Sequence, residues 1–274
     1  MKTRTVKAAR AKSTHQGRIL NVLPSRDIQT DWKLENAVAA GAVSINANLP
    51  ESVDLREPWW DIGDQGNTGS CVGWATADGV VRHQMVKTGK LAKKDHLSPR
   101  FVWMASKETD EIVDRPETFI EAAGTTLKSA MDVARKYGVP NETMLPLSIH
   151  TLMYTGRPDD LYAAASLNKI AGYVNLQKNL PEWKRWLAAG RPLLVAFNVD
   201  LTWINADKSG NLDRYQPDPA GNLGGHAVTL VGYTKDRFIL RNSWGPLWGD
   251  RGFGYATVDY INQAFYNEAY GAMG

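Results

Sequence analysis

At 274 residues, 43% hydrophobic and 22% charged, the chain is long enough for one large core or two small ones and has the balance of a soluble globular protein. A net charge of +3 is too small to argue for nucleic acid, and no stretch approaches the roughly 18 apolar residues that a membrane span needs. With one cysteine there is no intrachain disulfide, so the fold must rest on its core.

The first 18 residues hold Lys2, Arg4, Lys7, Arg10, Lys12 and Arg18 without an acid, which reads as a solvated tail, an address or a partner-binding arm. The apolar run of a secretory signal does not follow, so the expected location is the cytoplasm, although signal-independent export would leave the same sequence. Residues 1–48 show no sustained periodicity apart from a short Trp32 to Val43 run that can form a helix, and they read as an appendage. After a glycine-rich turn (Gly63, Gly66, Gly69), Cys71 should open a helix carrying Val80, Val81 and Met85, with Gly89 past its end. A thiol there meets the positive end of the helix macrodipole, which favours thiolate. No Lys-Ser or Lys-Thr follows these glycines at the place a phosphate loop requires, so they are not read as one.

Ser98-Pro99 reads as an N-cap followed by proline at the first helical position, opening a helix through Met104 and Ala105. Leu127, Ala130, Met131, Ala134 and Tyr137 keep helical spacing from Thr126 until Gly138 and Pro140 stop the helix. After Pro146 the pattern shifts toward strands. A short helix from Pro181 to Ala189 ends at Gly190, and Leu193 to Val199 reads as a buried strand. His226 to Tyr233 and Arg237 to Arg241 form a hairpin around Thr234-Lys235-Asp236, and Gly252 to Val258 adds a strand. There is no internal repeat.

The chemistry gathers on three residues. Cys71 lies in Gln-Gly-Asn-Thr-Gly-Ser-Cys-Val-Gly-Trp, His226 in Gly-Gly-His-Ala-Val and Asn242 in Asn-Ser-Trp-Gly, in the order that a Cys/His/Asn nucleophilic site can use. His15, His83, His96 and His150 read as surface or packing residues, and Trp59, Trp60, Trp183 and Trp203 as core. No Cys/His pair has metal-site spacing, so neither metal nor cofactor is expected.

From about Leu49 to about Tyr255 these motifs resemble the papain family of cysteine proteases, with Gln65, Cys71, His226, Asn242 and Trp244 in family order. Two positions depart from it: Val72 replaces the aromatic residue after the nucleophile, and Thr68 replaces a half-cystine. The resemblance implies an α+β, two-lobed papain-like fold. Its helical lobe would span about 55–145 and its β-barrel-like lobe about 146–274, with Cys71 and His226 on opposite walls of the cleft.

It further implies that the Cys71 thiolate attacks a peptide carbonyl to form a thioester, while the His226 imidazolium protonates the departing amine. Asn242 would orient the ring, Trp244 would shield it, and the Gln65 amide with the Cys71 N–H would hold the oxyanion. Gly124, Ala196, Ala227 and Trp244 fall at substrate-binding positions, and two alanines imply a roomy apolar side-chain pocket. Glu268 is an acid that the pattern does not align. Residues 1–48 would be a short pro-region, crossing the cleft in the direction opposite to substrate, with Ile19, Leu20, Val22, Leu23, Ile28 and Trp32 supplying apolar contacts. The expected partners are a peptide or protein substrate and this segment, with neither nucleic acid nor membrane. The alternatives are a Cys/His amidase or isopeptidase, and an inactive binding module of the same fold.

Overall fold

The computed structural model describes residues 18–45, 48–110, 123–147, 154–206, 208–219 and 223–274. His15 and His150 lie outside these residues. A short helix α1 (Leu34–Ala39) and strand β1 (Val53–Asp54) precede the helix that starts at the cysteine. That helix is one unbroken rod: α2 (Cys71–Trp74) passes through a π-helical stretch (Ala75–Val81) into α3 (Arg82–Lys87). Gly89, just past its end, has φ 73°, the left-handed conformation that closes many helices at glycine.

Two further helices pack on the rod. In α4 (Pro99–Thr109) the Ser98 side chain accepts from the Phe101 N–H, and in α5 (Leu127–Lys136) the Thr126 side chain accepts from the Ser129 N–H. The Ser98 cap is the one read from the sequence, and the Thr126 cap falls where the helical spacing begins. Then follow α6 (Pro158–Ser166), β2 (Gly172–Asn175), α7 (Leu180–Ala188), β3 (Leu193–Asn198), α8 (Leu201–Ile204) and β4 (Asn211–Leu212). The chain closes with β5 (Gly225–Tyr233), β6 (Arg237–Arg241), β7 (Phe253–Thr257), α9 (Val258–Ala264) and β8 (Phe265–Met273).

Seven strands run in the order β2-β8-β3-β5-β6-β7-β4, and β1 adds to β5. All pairings are antiparallel except that of β4 with β7. The sheet separates two main cores. One joins the rod, α4 and α5 to Leu194, Ala196, Ala227 and Tyr270; the other gathers Trp183, Trp186, Phe197, Trp203, Leu240 and Trp248. Buried apolar surface in both is the main favourable contribution to folding, at roughly 25 cal/mol per Å² removed from water.

The rod lies close against β5. The Thr229 hydroxyl donates to the Ala75 carbonyl at 3.0 Å, and a Cβ on Gly79 would overlap that same hydroxyl. Only glycine permits this approach, which brings the start of the helix alongside His226 on β5.

The reading as an appendage needs correction from Leu34 to Val43. Leu34, Ala37 and Val43 are 2%, 0% and 3% exposed and belong to the second core, so α1 is packed into the body. The short Trp32 to Val43 run has enough apolar residues to bury one face. Trp32 itself is half exposed and lines a surface recess beside Asp31.

Candidate functional site

Cys71 is the first residue of α2 and is fully buried, and its thiol lies at the main chain of Ala227, the residue after His226. His226 sits near the start of β5, opposite Phe197 of β3, and Asn242 follows directly on β6. Strand pairing therefore sets the histidine and asparagine beside one another. His226 Nε2 lies 2.7 Å from Asn242 Oδ1, and the same oxygen accepts the Ser243 N–H at 2.8 Å. That second bond fixes the amide with its oxygen toward the ring, so Nε2 must be the protonated nitrogen. Nδ1, with no hydrogen-bond partner among the described residues, is left as an acceptor.

Aromatic rings wall the imidazole. Trp244 lies at 4.8 Å centroid to centroid, tilted by 34°, and Trp203 stands perpendicular at 5.6 Å. Trp203 is itself held: its indole N–H donates to the Tyr260 hydroxyl at 2.5 Å, which donates to buried Asp200 at 2.8 Å. Trp244 was expected from its motif, whereas Trp203 was read only as core, because no local pattern ties residue 203 to residue 226.

Gln65 is oriented from both ends. Its Nε2 donates to the Thr68 carbonyl at 2.9 Å and its Oε1 accepts from the Ser243 hydroxyl at 2.8 Å, which fixes the amide and leaves one N–H for a ligand. Thr68, at the half-cystine position, bonds the Gln65 carbonyl at 2.7 Å and the Ser70 hydroxyl at 2.6 Å. Hydrogen bonds hold this loop in place of a disulfide.

The other substrate-position residues lie close by. Ala196 and Ala227 are directly opposite one another on β3 and β5 and are fully buried. Gly124 precedes α5, and a Cβ there would overlap the carbonyl oxygen of Asn21. Glu268 on β8 is fully buried, and its Oε1 accepts the Ser25 N–H at 3.0 Å. No metal-ligating cluster of three or more occurs among the described residues.

Residues 18–25 lie across this site. The Arg18 guanidinium bonds Asp64 at 2.5 Å, the Gly66 carbonyl at 2.9 Å and the Trp244 carbonyl at 3.3 Å. Val22 donates its N–H to the Gly225 carbonyl at 3.1 Å and accepts the Tyr266 hydroxyl at 2.9 Å, while Leu23 donates to the Thr125 carbonyl at 3.1 Å. The segment thus bonds both walls. Val22 is buried and Leu20 partly so, which agrees with the apolar contacts read from the sequence.

Burial, and for His226 the nearby Arg18, shift the titration of the site. Burial pushes the Cys71 thiol up to about 11, although main-chain N–H groups oppose it. Burial also pulls the His226 imidazole down to about 4, with Arg18 adding to the effect and Asn242 opposing it. At neutral pH the buried pair is therefore thiol and neutral imidazole, not the thiolate and imidazolium expected from the helix start and the matched motifs.

A cysteine at a helix start beside an asparagine-held histidine, between two separately packed halves, defines a Cys/His/Asn site in a two-lobed α+β fold. The profile of the papain family cysteine proteases matches residues 49–270, and the chain belongs to that family. A cathepsin L-like proteinase of Fasciola hepatica is 27% identical over 220 residues, 76% of this chain and 60% of that protein. Ananain of Ananas comosus is 24% identical over 234 residues, 81% of this chain and 59% of that protein. The chain thus spans about 60% of the length of these two relatives. Among solved structures, xylellain, a cysteine protease from Xylella fastidiosa, superposes with a TM-score of 0.74 at 23% identity, covering 94% of this chain and 96% of that one. The digestive procathepsin L 3 of Tenebrio molitor larval midgut gives 0.63 at 20% identity, covering 95% of this chain and 77% of that one. Both share the papain-like fold.

Proposed function

We propose that the protein is a cysteine peptidase that hydrolyses peptide bonds and is held inactive here by its own residues 18–25. The observation that carries the catalytic reading is the His226 to Asn242 bond, which presents Nδ1, unpartnered, on the side of the ring away from the asparagine. Once the cleft is open to water, the burial that keeps both groups neutral is relieved, and the helix N-terminus favours transfer of the thiol proton to the ring. The thiolate then attacks the substrate carbonyl. Oxyanion charge is met by the free Gln65 N–H and the Cys71 main-chain N–H, donors fixed before the reaction begins. His226 gives its proton to the departing amine, the thioester remains on Cys71, and the ring then activates the water that releases the acid.

Ala196 and Ala227 line the side-chain pocket in this reading, Gly124 offers its main chain to the peptide, and Trp244 walls the histidine. The segment's course favours a cover over a substrate pose. It passes from Arg18 near Trp244, through Val22 at Gly225, to Ser25 at Glu268, and its Leu23 bridge to Thr126 is parallel. In the chain lacking residues 1–26, which should hydrolyse a fluorogenic peptide, Cys71→Ala should abolish that hydrolysis while the protein stays folded. Retained cleavage would remove the assignment.

A further inference from the structure

Beyond the cleft, the same segment is anchored a second time. The Asp31 side chain is only 4% exposed, and its Oδ1 meets Lys128 Nζ at 2.5 Å. Its Oδ2 accepts from the Tyr270 hydroxyl at 2.7 Å and from Asn175 Nδ2 at 3.2 Å. Asn175 also donates its main-chain N–H to the Trp32 carbonyl at 2.7 Å. The three side-chain donors come from α5, β2 and β8, and Asn175 and Tyr270 are 2% and 0% exposed. Such convergence costs desolvation unless an acceptor sits at its centre, and a carboxylate with two oxygens satisfies all three donors at once.

The surroundings favour negative charge. A recess of about 530 Å³ beside Asp31 carries Lys128, Arg135 and Lys136 on its rim, against a single other acid, Asp132, that is paired with Arg135. Glu268 is also near Tyr270, but it is engaged by Ser25 and burial raises its pKa, so it competes less as an anion.

We propose that Lys128, Asn175 and Tyr270 form a carboxylate-binding slot that locks the covering segment through Asp31 and that, once vacated, takes an aspartate side chain of another peptide. This rests on the reading of residues 18–25 as a cover. Asp31 lies only six residues beyond Ser25, so holding it keeps the cover at high local concentration over the cleft. Releasing it lets the cover leave.

The test uses the full-length chain and the alkylation rate of Cys71. Asp31→Asn and Lys128→Met should each speed alkylation about tenfold or more, the scale of losing a charge-assisted hydrogen bond, and the double variant should add little to either. Val22→Arg, within the cleft, serves as a reference. If Val22→Arg speeds alkylation and the Asp31 and Lys128 variants do not, or if their effects simply add, the slot is refuted and the cover stands. If none of the variants has an effect, the covering reading itself fails. For the ligand class, the Asp31→Ala chain should bind fluorescein-labelled Thr-Asp-Trp about tenfold or more tightly than Thr-Asn-Trp, by fluorescence polarisation. Equal affinities would overturn carboxylate recognition.

Discussion

Removing residues 1–26 should switch the thiol on. This deletion takes away Arg18 to Ser25, the whole cover over the site, and keeps Asp31 and the buried side chains of α1. A deletion up to Leu49 would be a poorer choice, because it would also strip Leu34, Ala37 and Val43 from the core at about 1 to 3 kcal/mol each. In the covered chain a thiol near 11 is thiolate for about one molecule in ten thousand at pH 7. An uncovered thiol at the ordinary value of about 8.5 would be thiolate for about 3%, and the helix start and His226 push it lower still. The alkylation rate at pH 7 should therefore rise by at least about two orders of magnitude. Because Cys71 is the single cysteine, total iodoacetamide labelling followed by mass spectrometry reports on it directly. Rates within about threefold of each other, with both proteins folded, would refute the claim that the cover sets the thiol's ionisation.

Three further outcomes follow from the geometry. Asp78 of the rod is buried between Arg241 at 2.6 Å and Arg82 at 2.9 Å, so Asp78→Asn should cost about 3 to 5 kcal/mol in urea unfolding, the scale for orphaning a buried charge. A loss under about 1 kcal/mol would mean that water reaches this pair. Gln65→Ala should lower turnover by roughly a hundred- to a thousandfold with little change in substrate binding, and weaker binding alone would contradict its oxyanion role. If Ala196 and Ala227 line the side-chain pocket as proposed, a peptide library should favour apolar residues second before the cleaved bond. Any accompanying acceptance of lysine or arginine should vanish in Glu268→Gln, and acceptance that persisted would place Glu268 outside the pocket.

Much of the site was legible because its members sit in short motifs whose neighbours do local work. Ser243 follows Asn242 and ties both Asn242 and Gln65, so one dipeptide orients two site residues. The cap at Ser98 was equally readable, since it acts within four residues and proline follows it. What escaped depends on distant packing. The π-helical stretch at Ala75–Val81 is too short for periodicity to separate from an α-helix. Strand β8 lacks alternation because both its faces are buried, Ala269 in one core and Tyr270 and Ala272 in the other. Glu268 and Tyr270 were hidden with it, and so was their link to Ser25 and Asp31. Trp203 reaches His226 only through the folding of α8 beside β5.

The most direct measurement of the central claim is the mass of the protein trapped during turnover. The chain lacking residues 1–26, mixed with an activated peptide ester and quenched in acid, should gain the mass of the acyl group on the tryptic peptide that contains Cys71. The Cys71→Ser and His226→Ala variants should show none or far less. An acyl group on any other residue, or full turnover without one on Cys71, would contradict a thioester mechanism at this site.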